Sequence, residues 1–128
     1  MAYSNQLRNI ALKANADFSS RQYHIVELTG NPQECQLAAA GTGIGVLQNH
    51  PQSGEHATVA VEGESRCRAG GTIAQGAWVT AANTGFATAV ASGATSTRAI
   101  GKAMSGAASG SIFPLHIQPF LTASGAAN

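Results

Sequence analysis

The sequence predicts an all-β protein, a small antiparallel β-barrel or β-sandwich with an extended N-terminal arm. Short runs of β-branched and apolar residues alternate with glycine from Tyr23 onward, and turn signals recur about every eight to twelve residues. Residues 56–62 alternate with a period of two, with Ala57, Val59 and Val61 on one face, which indicates a strand. A chain of 128 residues suits one domain.

Residues 1–20 form the predicted arm. Their apolar positions have the spacing of one helical face, but an isolated helix of this length is only marginally stable in water. We therefore expect the arm to order against a neighbouring subunit or a bound surface, with packing on its own domain as the alternative. The candidate contact residues in the arm are Leu7, Arg8, Ile10, Leu12 and Lys13.

Residues 21–120 form the predicted β-rich domain, and residues 121–128 a predicted flexible tail. The first half of the domain contains the strand candidates YHIVELT, CQLAA, GIGVLQN and HATVAVE. The second half contains SRCRA, AWVTA, FATAVA, TRAIGKAMS and SIFPLHI. Because Pro114 lacks the N–H that a ladder hydrogen bond needs, we expect the last strand at an edge or paired on one side only.

A glycine run at Gly41, Gly43 and Gly45 raises the question of a phosphate-binding loop. Val46 stands at the position where a dinucleotide fingerprint requires its third glycine, and no Gly-Lys-Ser/Thr follows as in a Walker loop. The run leads instead into a strand, the turn HPQSGE and the return strand ATVAVEG. We interpret this stretch as a β-hairpin at the centre of a structural domain.

Other catalytic or ligand-binding patterns are missing from the sequence. The four histidines have no metal-ligand spacing, Ser109 fails the G-x-S-x-G pattern because Ala107 replaces its first glycine, and the chain has one aspartate. Cys35 and Cys67 are expected to be reduced thiols, since no secretory signal is visible. The sequence therefore predicts no enzyme activity, no cofactor and no metal.

Charge is sparse and unevenly distributed. Charged residues make up 10% of the chain, with a net charge of +1, and every acid lies at or before Glu64. The later charged residues are all basic, which could place a basic face around Arg66 and Arg68 against an acidic surface. Neither nucleic acid nor membrane is expected as a partner, because the net charge is low and no apolar run approaches membrane-spanning length.

Large apolar side chains are also scarce. Only seven residues are aromatic, so the core must be built from small side chains, and a monomer would have a modest stability margin. This composition favours an oligomer or a docked subunit. As the only tryptophan, Trp78 is expected to anchor the core or a subunit interface.

Four stretches, in this order, resemble the small capsid decoration, or cement, proteins of tailed bacteriophages. The resemblance covers roughly residues 16–118, and the stretches are ADFSSRQYHIVELTG, GIGVLQNHPQSGEHATVAVEG, AGGTIAQGAWVTAANTGFATAV and AIGKAMSGAASGSIFPLHI. Each motif alone is weak, and their order makes the resemblance specific. The arginines of SRCRAGG depart from the family's pattern, so the face around them is expected to be specific to this protein.

The resemblance implies a structural virion protein, made in the host bacterial cytoplasm, that binds the outer surface of a phage head. It implies a homotrimer that contacts the major capsid protein where capsomers meet and strengthens the shell without catalysis. A second interpretation is a trimeric head-fibre base or a carbohydrate-binding knob on the virion, which would also be glycine-rich and β.

Overall fold

The computed structural model describes residues 7–90 and 98–121, without the side chains of residues 98 and 119–121. Within these residues the chain forms nine strands and one short 3-10 helix, Asn83–Gly85. The strands are β1 (Arg8–Ala14), β2 (Ile25–Leu28), β3 (Glu34–Leu37), β4 (Gly45–Leu47), β5 (His56–Arg68), β6 (Trp78–Ala81), β7 (Ala87–Ala89), β8 (Arg98–Ala103) and β9 (Ile112–Leu121). No described helix is long and apolar enough to cross a membrane.

The first five strands close into a barrel. Their order is β1-β3-β2-β4-β5, and β1 pairs with β5 to complete the ring. The β1–β3 pairing is parallel, whereas β1–β5, β2–β3, β2–β4 and β4–β5 are antiparallel. The all-β prediction is confirmed, and closure removes free sheet edges from this part of the molecule.

Strand β5 continues beyond the barrel into a second sheet of order β5-β9-β8-β6-β7. Residues 56–62 of β5 pair with β1, whereas residues 63–68 pair with β9. Gly63, with φ of 106°, stands where the strand changes partners. This conformation is accessible to glycine and strained for other residues, so the sequence permits the chain to turn here from barrel to sheet.

Two apolar clusters hold the fold together. One fills the barrel and includes Leu12, Leu47 and Val59. The other lies between the barrel wall and the second sheet, where Val46 and Ala60 pack with residues from β6, β8 and β9. Strands β4 and β5 therefore bury side chains on both faces, which is why Ala60 is buried although it alternates out of phase with the barrel interior.

The predicted central hairpin is confirmed. Strands β4 and β5 pair with Val46 opposite Ala60 and Leu47 opposite Val59. A Cβ atom at Gly45 would overlap the carbonyl oxygen of Ala60, so this glycine permits close contact between the two backbones. The glycine run serves strand entry and packing.

The expectation that the N-terminal segment lacks a partner in its own chain is wrong. Residues 8–14 form a strand that pairs with β3 and β5, and Leu12 and Ala14 lie in the barrel interior. Phe18 is also buried there. The apolar spacing suggested a helix because β1 buries only two of its seven residues. The alternation that is typical of a strand is therefore weak in its sequence. Residues 1–6 and the predicted tail from residue 122 onward lie outside the described residues.

The expected edge position of the last strand is also wrong, because β9 pairs with both β5 and β8. Pro114 is tolerated for a local reason. Its carbonyl accepts the N–H of Met104 at 2.9 Å, and the nitrogen and oxygen of one strand residue point to the same side. The proline nitrogen therefore faces the side of β8 at the point where that strand has ended, at Ala103.

Candidate interaction surface

One face of the second sheet is turned away from the core and is called here the outer sheet face. Directly opposed residues of antiparallel strands share a face, and β5 alternates with the buried Ser65 and Cys67. The exposed or half-buried residues of this face are Glu64, Arg66 and Arg68 on β5, Ile112, Pro114 and His116 on β9, Lys102 on β8, and Trp78 on β6. The face brings together three residues singled out from sequence, Arg66, Arg68 and Trp78.

A row of four residues crosses the outer sheet face. Glu64 lies opposite His116, His116 opposite Lys102, and Lys102 opposite Trp78. The Lys102 ammonium group lies 4.9 Å from the centre of the Trp78 ring, a cation–π arrangement. Trp78 is half-buried, and its neighbour Val79 enters the core instead. The expected core position of Trp78 is therefore not observed, and its interface role stays a prediction.

The two arginines of this face are held differently. Arg66 is exposed, whereas Arg68 is half-buried and donates a guanidinium N–H to the carbonyl oxygen of Gly110 at 2.8 Å. They stand two residues apart on one strand, which places their Cα atoms about 7 Å apart on the same side. The arrangement offers two cations at a fixed spacing.

Beside these arginines, the edge of β5 that faces away from β9 pairs with no strand among the described residues. Along a strand, successive residues direct their backbone groups to opposite neighbours. Ala69 donates its N–H at 2.8 Å to the segment that leads into β9, whereas Arg68 donates its N–H to Tyr23 at 3.0 Å, on the other side. The backbone groups of Glu64 and Arg66 share the orientation of Arg68 and also point away from β9.

A shallow groove of about 690 Å³ borders this edge. Its lining includes Leu7, Tyr23, Arg66 and Ile112, so it combines apolar side chains with a cation and with backbone donors and acceptors of β5. A smaller depression continues from Leu7 to Arg8. A further depression continues past Tyr23 to another residue singled out from sequence, Arg68.

The remaining candidates from the arm lie elsewhere. Leu12 is buried in the barrel, which leaves little of its side chain accessible to a capsid or a neighbouring subunit, and its contact role stays a prediction. Ile10 is 37% exposed, and Lys13 is exposed on β1 opposite Glu34 of β3. Arg8 is exposed, with its guanidinium 3.6 Å from the Glu62 carboxylate.

An acidic surface on β2 and β3 was missed by the sequence interpretation. Glu27 and Glu34 alternate with the interior residues Val26 and Cys35, so both point away from the barrel interior. Glu27 accepts hydrogen bonds from Gln36 and Thr42. Polar and apolar residues alternate within VEL and ECQ. This alternation reveals the acidic surface once β2 and β3 are aligned in register.

Hydrogen bonds also fix the second carboxylate of this surface. Glu34 accepts bonds of 2.8 Å from both Asn31 and Thr29. These bonds lower the pKa of Glu34 below its ordinary value, that from Asn31 most strongly, with a further contribution from the nearby Lys13. The acidic surface therefore carries its charge in a defined orientation.

The described part of the chain contains no cluster of three or more residues able to hold a metal ion. Cys35 and Cys67 are free and buried in different apolar clusters. His24 is buried, with its ring Nδ1 3.1 Å from the carbonyl oxygen of Thr84 and its ring edge-on to Phe86. The carbonyl can only accept, so Nδ1 carries the proton.

Comparison with known proteins finds both a matching family model and similar solved structures. A family model described as phage cement protein matches residues 10–114. Among solved structures, the head fiber gp8.5 N base in bacteriophage phi29 is similar, with a TM-score of 0.69 and 21% sequence identity, over 88% of this chain and 95% of that chain. This second likeness concerns the fold. A search of curated proteins finds no significant match.

Proposed function

Because this chain belongs to the phage cement protein family, a family of structural proteins of the virion, we propose that it binds the outer surface of a phage head as a homotrimer. In this role it contacts the major capsid protein, bridges neighbouring capsomers and stabilises the shell. We propose synthesis in the host bacterial cytoplasm, where the free thiols of Cys35 and Cys67 would remain reduced.

The observation that supports this proposal best is the family match over residues 10–114, which includes the barrel and most of the second sheet. The surface properties agree with it. The groove and the outer sheet face present arginine and half-buried tryptophan, two residue types that are enriched where proteins contact each other. Strengthening a shell needs many bridging contacts and no catalysis, and repeated copies supply avidity.

Two groups of residues are proposed to make these contacts. The first is the exposed part of β1, with Arg8, Ile10 and Lys13, at the wall and rim of the barrel. The second is the groove and outer sheet face, with Leu7, Arg66, Arg68 and Trp78. One group can serve the capsid while the other serves the neighbouring subunit.

A decoration experiment tests the proposal. Purified phage heads that lack the protein are mixed with the full-length chain, separated by sedimentation, and then heated while release of packaged DNA is followed. We expect the chain to sediment with heads to a saturable level and to raise the temperature of DNA release. Heads that neither retain the protein nor gain heat resistance would contradict the proposal.

A second candidate function is the base of a head fibre. The fold likeness to the phi29 head fiber N base favours it. Cryo-electron microscopy of decorated heads distinguishes the two, because a cement protein ends in a compact knob and a fibre base carries a projecting rod. A carbohydrate-binding knob is less well supported, since Lys102 lies over the Trp78 ring, on which a sugar would stack.

A further inference from the structure

We infer that the arginine pair of one copy binds the acidic surface of the next copy, so that Arg66 and Arg68 meet Glu27 and Glu34 across the subunit boundary. This inference rests on the proposed homotrimer and names the two surfaces that build it. The partner is a second copy of this chain.

The symmetry of a trimer sets the first condition. A three-membered ring has no two-fold axis between its subunits, so each contact joins two different patches of the chain. A self-complementary patch would produce a dimer instead. The chain must therefore carry two unlike surfaces that fit each other.

Charge supplies such a pair. Residues 1–62 contain five carboxylates and three cations, whereas residues 63–128 contain one carboxylate and four cations. This division follows the architecture, because β5 leaves the barrel at Gly63. The barrel is acidic and the second sheet is basic, so the barrel of one copy attracts the sheet of another.

The spacing of the charges also matches. Arg66 and Arg68 are about 7 Å apart along one strand. Glu27 lies opposite Gln36 on β3, two residues from Glu34, so the two carboxylates are diagonal neighbours at about 7–8 Å. Each guanidinium can therefore reach one carboxylate, in the paired geometry that arginine favours.

Both surfaces are partly prepared for contact. The two carboxylates are oriented by hydrogen bonds from Gln36, Thr42, Thr29 and Asn31, and the Arg68 guanidinium is oriented by its bond to Gly110. Groups held in place before binding lose less conformational freedom when they meet a partner.

An exposed apolar side chain accompanies the arginines. Ile112, opposite Arg68, is 42% exposed. Its burial would add a non-directional contribution to the contact. Each surface also holds one residue of the opposite charge, since Lys13 lies beside Glu34 and Glu64 lies near Arg66. The acidic surface still has a net negative charge and the arginine surface a net positive charge.

Charge reversal tests the inference, with mass measured by sedimentation velocity and light scattering at micromolar concentration. We expect the wild type to have a trimer mass that falls with added salt. The variant R66E/R68E and the variant E27K/E34K should each shift to a monomer mass, with association weakened at least about a hundredfold. A chain with all four reversals should recover the trimer.

Two controls accompany the test. Glu55→Lys reverses an exposed carboxylate in the turn that precedes β5, outside both surfaces, and should leave the trimer intact, in contrast to E27K/E34K. Circular dichroism melts confirm that each variant is folded.

The outcomes separate this inference from the proposed function. A folded R66E/R68E chain that remains trimeric, a four-reversal chain that stays monomeric, or a wild type that is monomeric at every concentration would overturn the inference. Retention of the wild type on heads, measured separately, reports on the cement function whichever of these results is obtained.

Discussion

The ammonium group of Lys102 lies 4.9 Å from the centre of the Trp78 ring, across the β6–β8 pairing. The ring is half-buried on the outer sheet face, and Val79 fills the core beneath it. The tryptophan therefore stabilises the sheet through its partial burial and through the cation above it, and much of its surface remains available to a partner.

Replacing Trp78 by alanine should cost less than replacing a core residue. We expect Trp78→Ala to lower the free energy of unfolding by about 1–2 kcal/mol, because only part of the ring is buried. Leu115→Ala, at a fully buried site, should cost about 2–5 kcal/mol. Urea denaturation of both variants gives the comparison, and equal losses would contradict the half-buried position of the ring.

The buried His24 should make stability depend on pH. Burial lowers its pKa from the usual 6.5, opposed by the hydrogen bond to Thr84 and assisted by the positive charges of Arg21 and Arg68. The unfolded chain then binds a proton more readily than the folded chain, so stability is fully present above pH 6.5 and falls as the pH drops below it.

This pH dependence can be measured by thermal melts at a series of pH values. His24→Asn keeps a hydrogen-bond donor but cannot titrate, so its melting temperature should change less between neutral and mildly acid pH. The same replacement at the exposed His50 serves as the matched control and should retain the wild-type slope. Identical slopes for His24→Asn and the wild type would exclude His24 as the cause.

The two thiols should be unreactive in the native protein. Burial raises the pKa of Cys35 to about 11 and that of Cys67 to about 12, so almost no thiolate forms near neutral pH. We expect neither thiol to react with Ellman's reagent until denaturant is added, when both should react. Rapid modification of the folded chain would show that one of the apolar clusters is open.

Most strand positions could be predicted from the sequence because turns and alternation are local signals. The stretch AWVTA became β6, and HATVAVE became part of β5. Three features depend on distant contacts and were not predictable in this way. The ladders of β1, the interior position of β9 and the burial of Ala60 on a second face all arise when separate strands pair.

The candidate surface was predictable in part. Arg66, Arg68 and Trp78 could be singled out because they are unusual in this sequence, and the sheet register places them on one face. Glu27 and Glu34 are seven residues apart in the chain and approach only when β2 pairs with β3. The six acidic residues are scattered along the sequence, so their positions in the chain do not locate that surface.

The close approach of β4 and β5 gives a further test. Alanine at Gly45 would place its Cβ against the Ala60 carbonyl oxygen, and neither backbone can move without disturbing the barrel. We expect Gly45→Ala to cost about 2–3 kcal/mol. At Gly30 a Cβ would meet no atom of the described residues within 4 Å, so Gly30→Ala should change stability by less than about 1 kcal/mol. Similar unfolding curves for the two variants would contradict this packing.

Strand β1 is expected to serve the fold and the capsid through different side chains. Leu12 is buried in the barrel and Ile10 is 37% exposed at its rim. Leu12→Ala should therefore cost about 2–4 kcal/mol, whereas Ile10→Ala should cost less. Deleting residues 2–16 removes the strand that closes the barrel, so the deleted chain should fail to fold, contrary to what a detached arm would predict.

Retention on phage heads separates the two roles of this strand. A variant with Arg8, Ile10 and Lys13 all replaced by alanine keeps Leu12 and Ala14 in the barrel, so its melting temperature should stay close to that of the wild type. Under the proposed function it should nevertheless wash off heads that retain the wild type, because its exposed contacts are gone. At a temperature where it is folded, Leu12→Ala should still bind heads. If the triple variant is retained as well as the wild type, β1 is not the capsid contact, and the groove beside Leu7 and Arg66 becomes the surface to mutate.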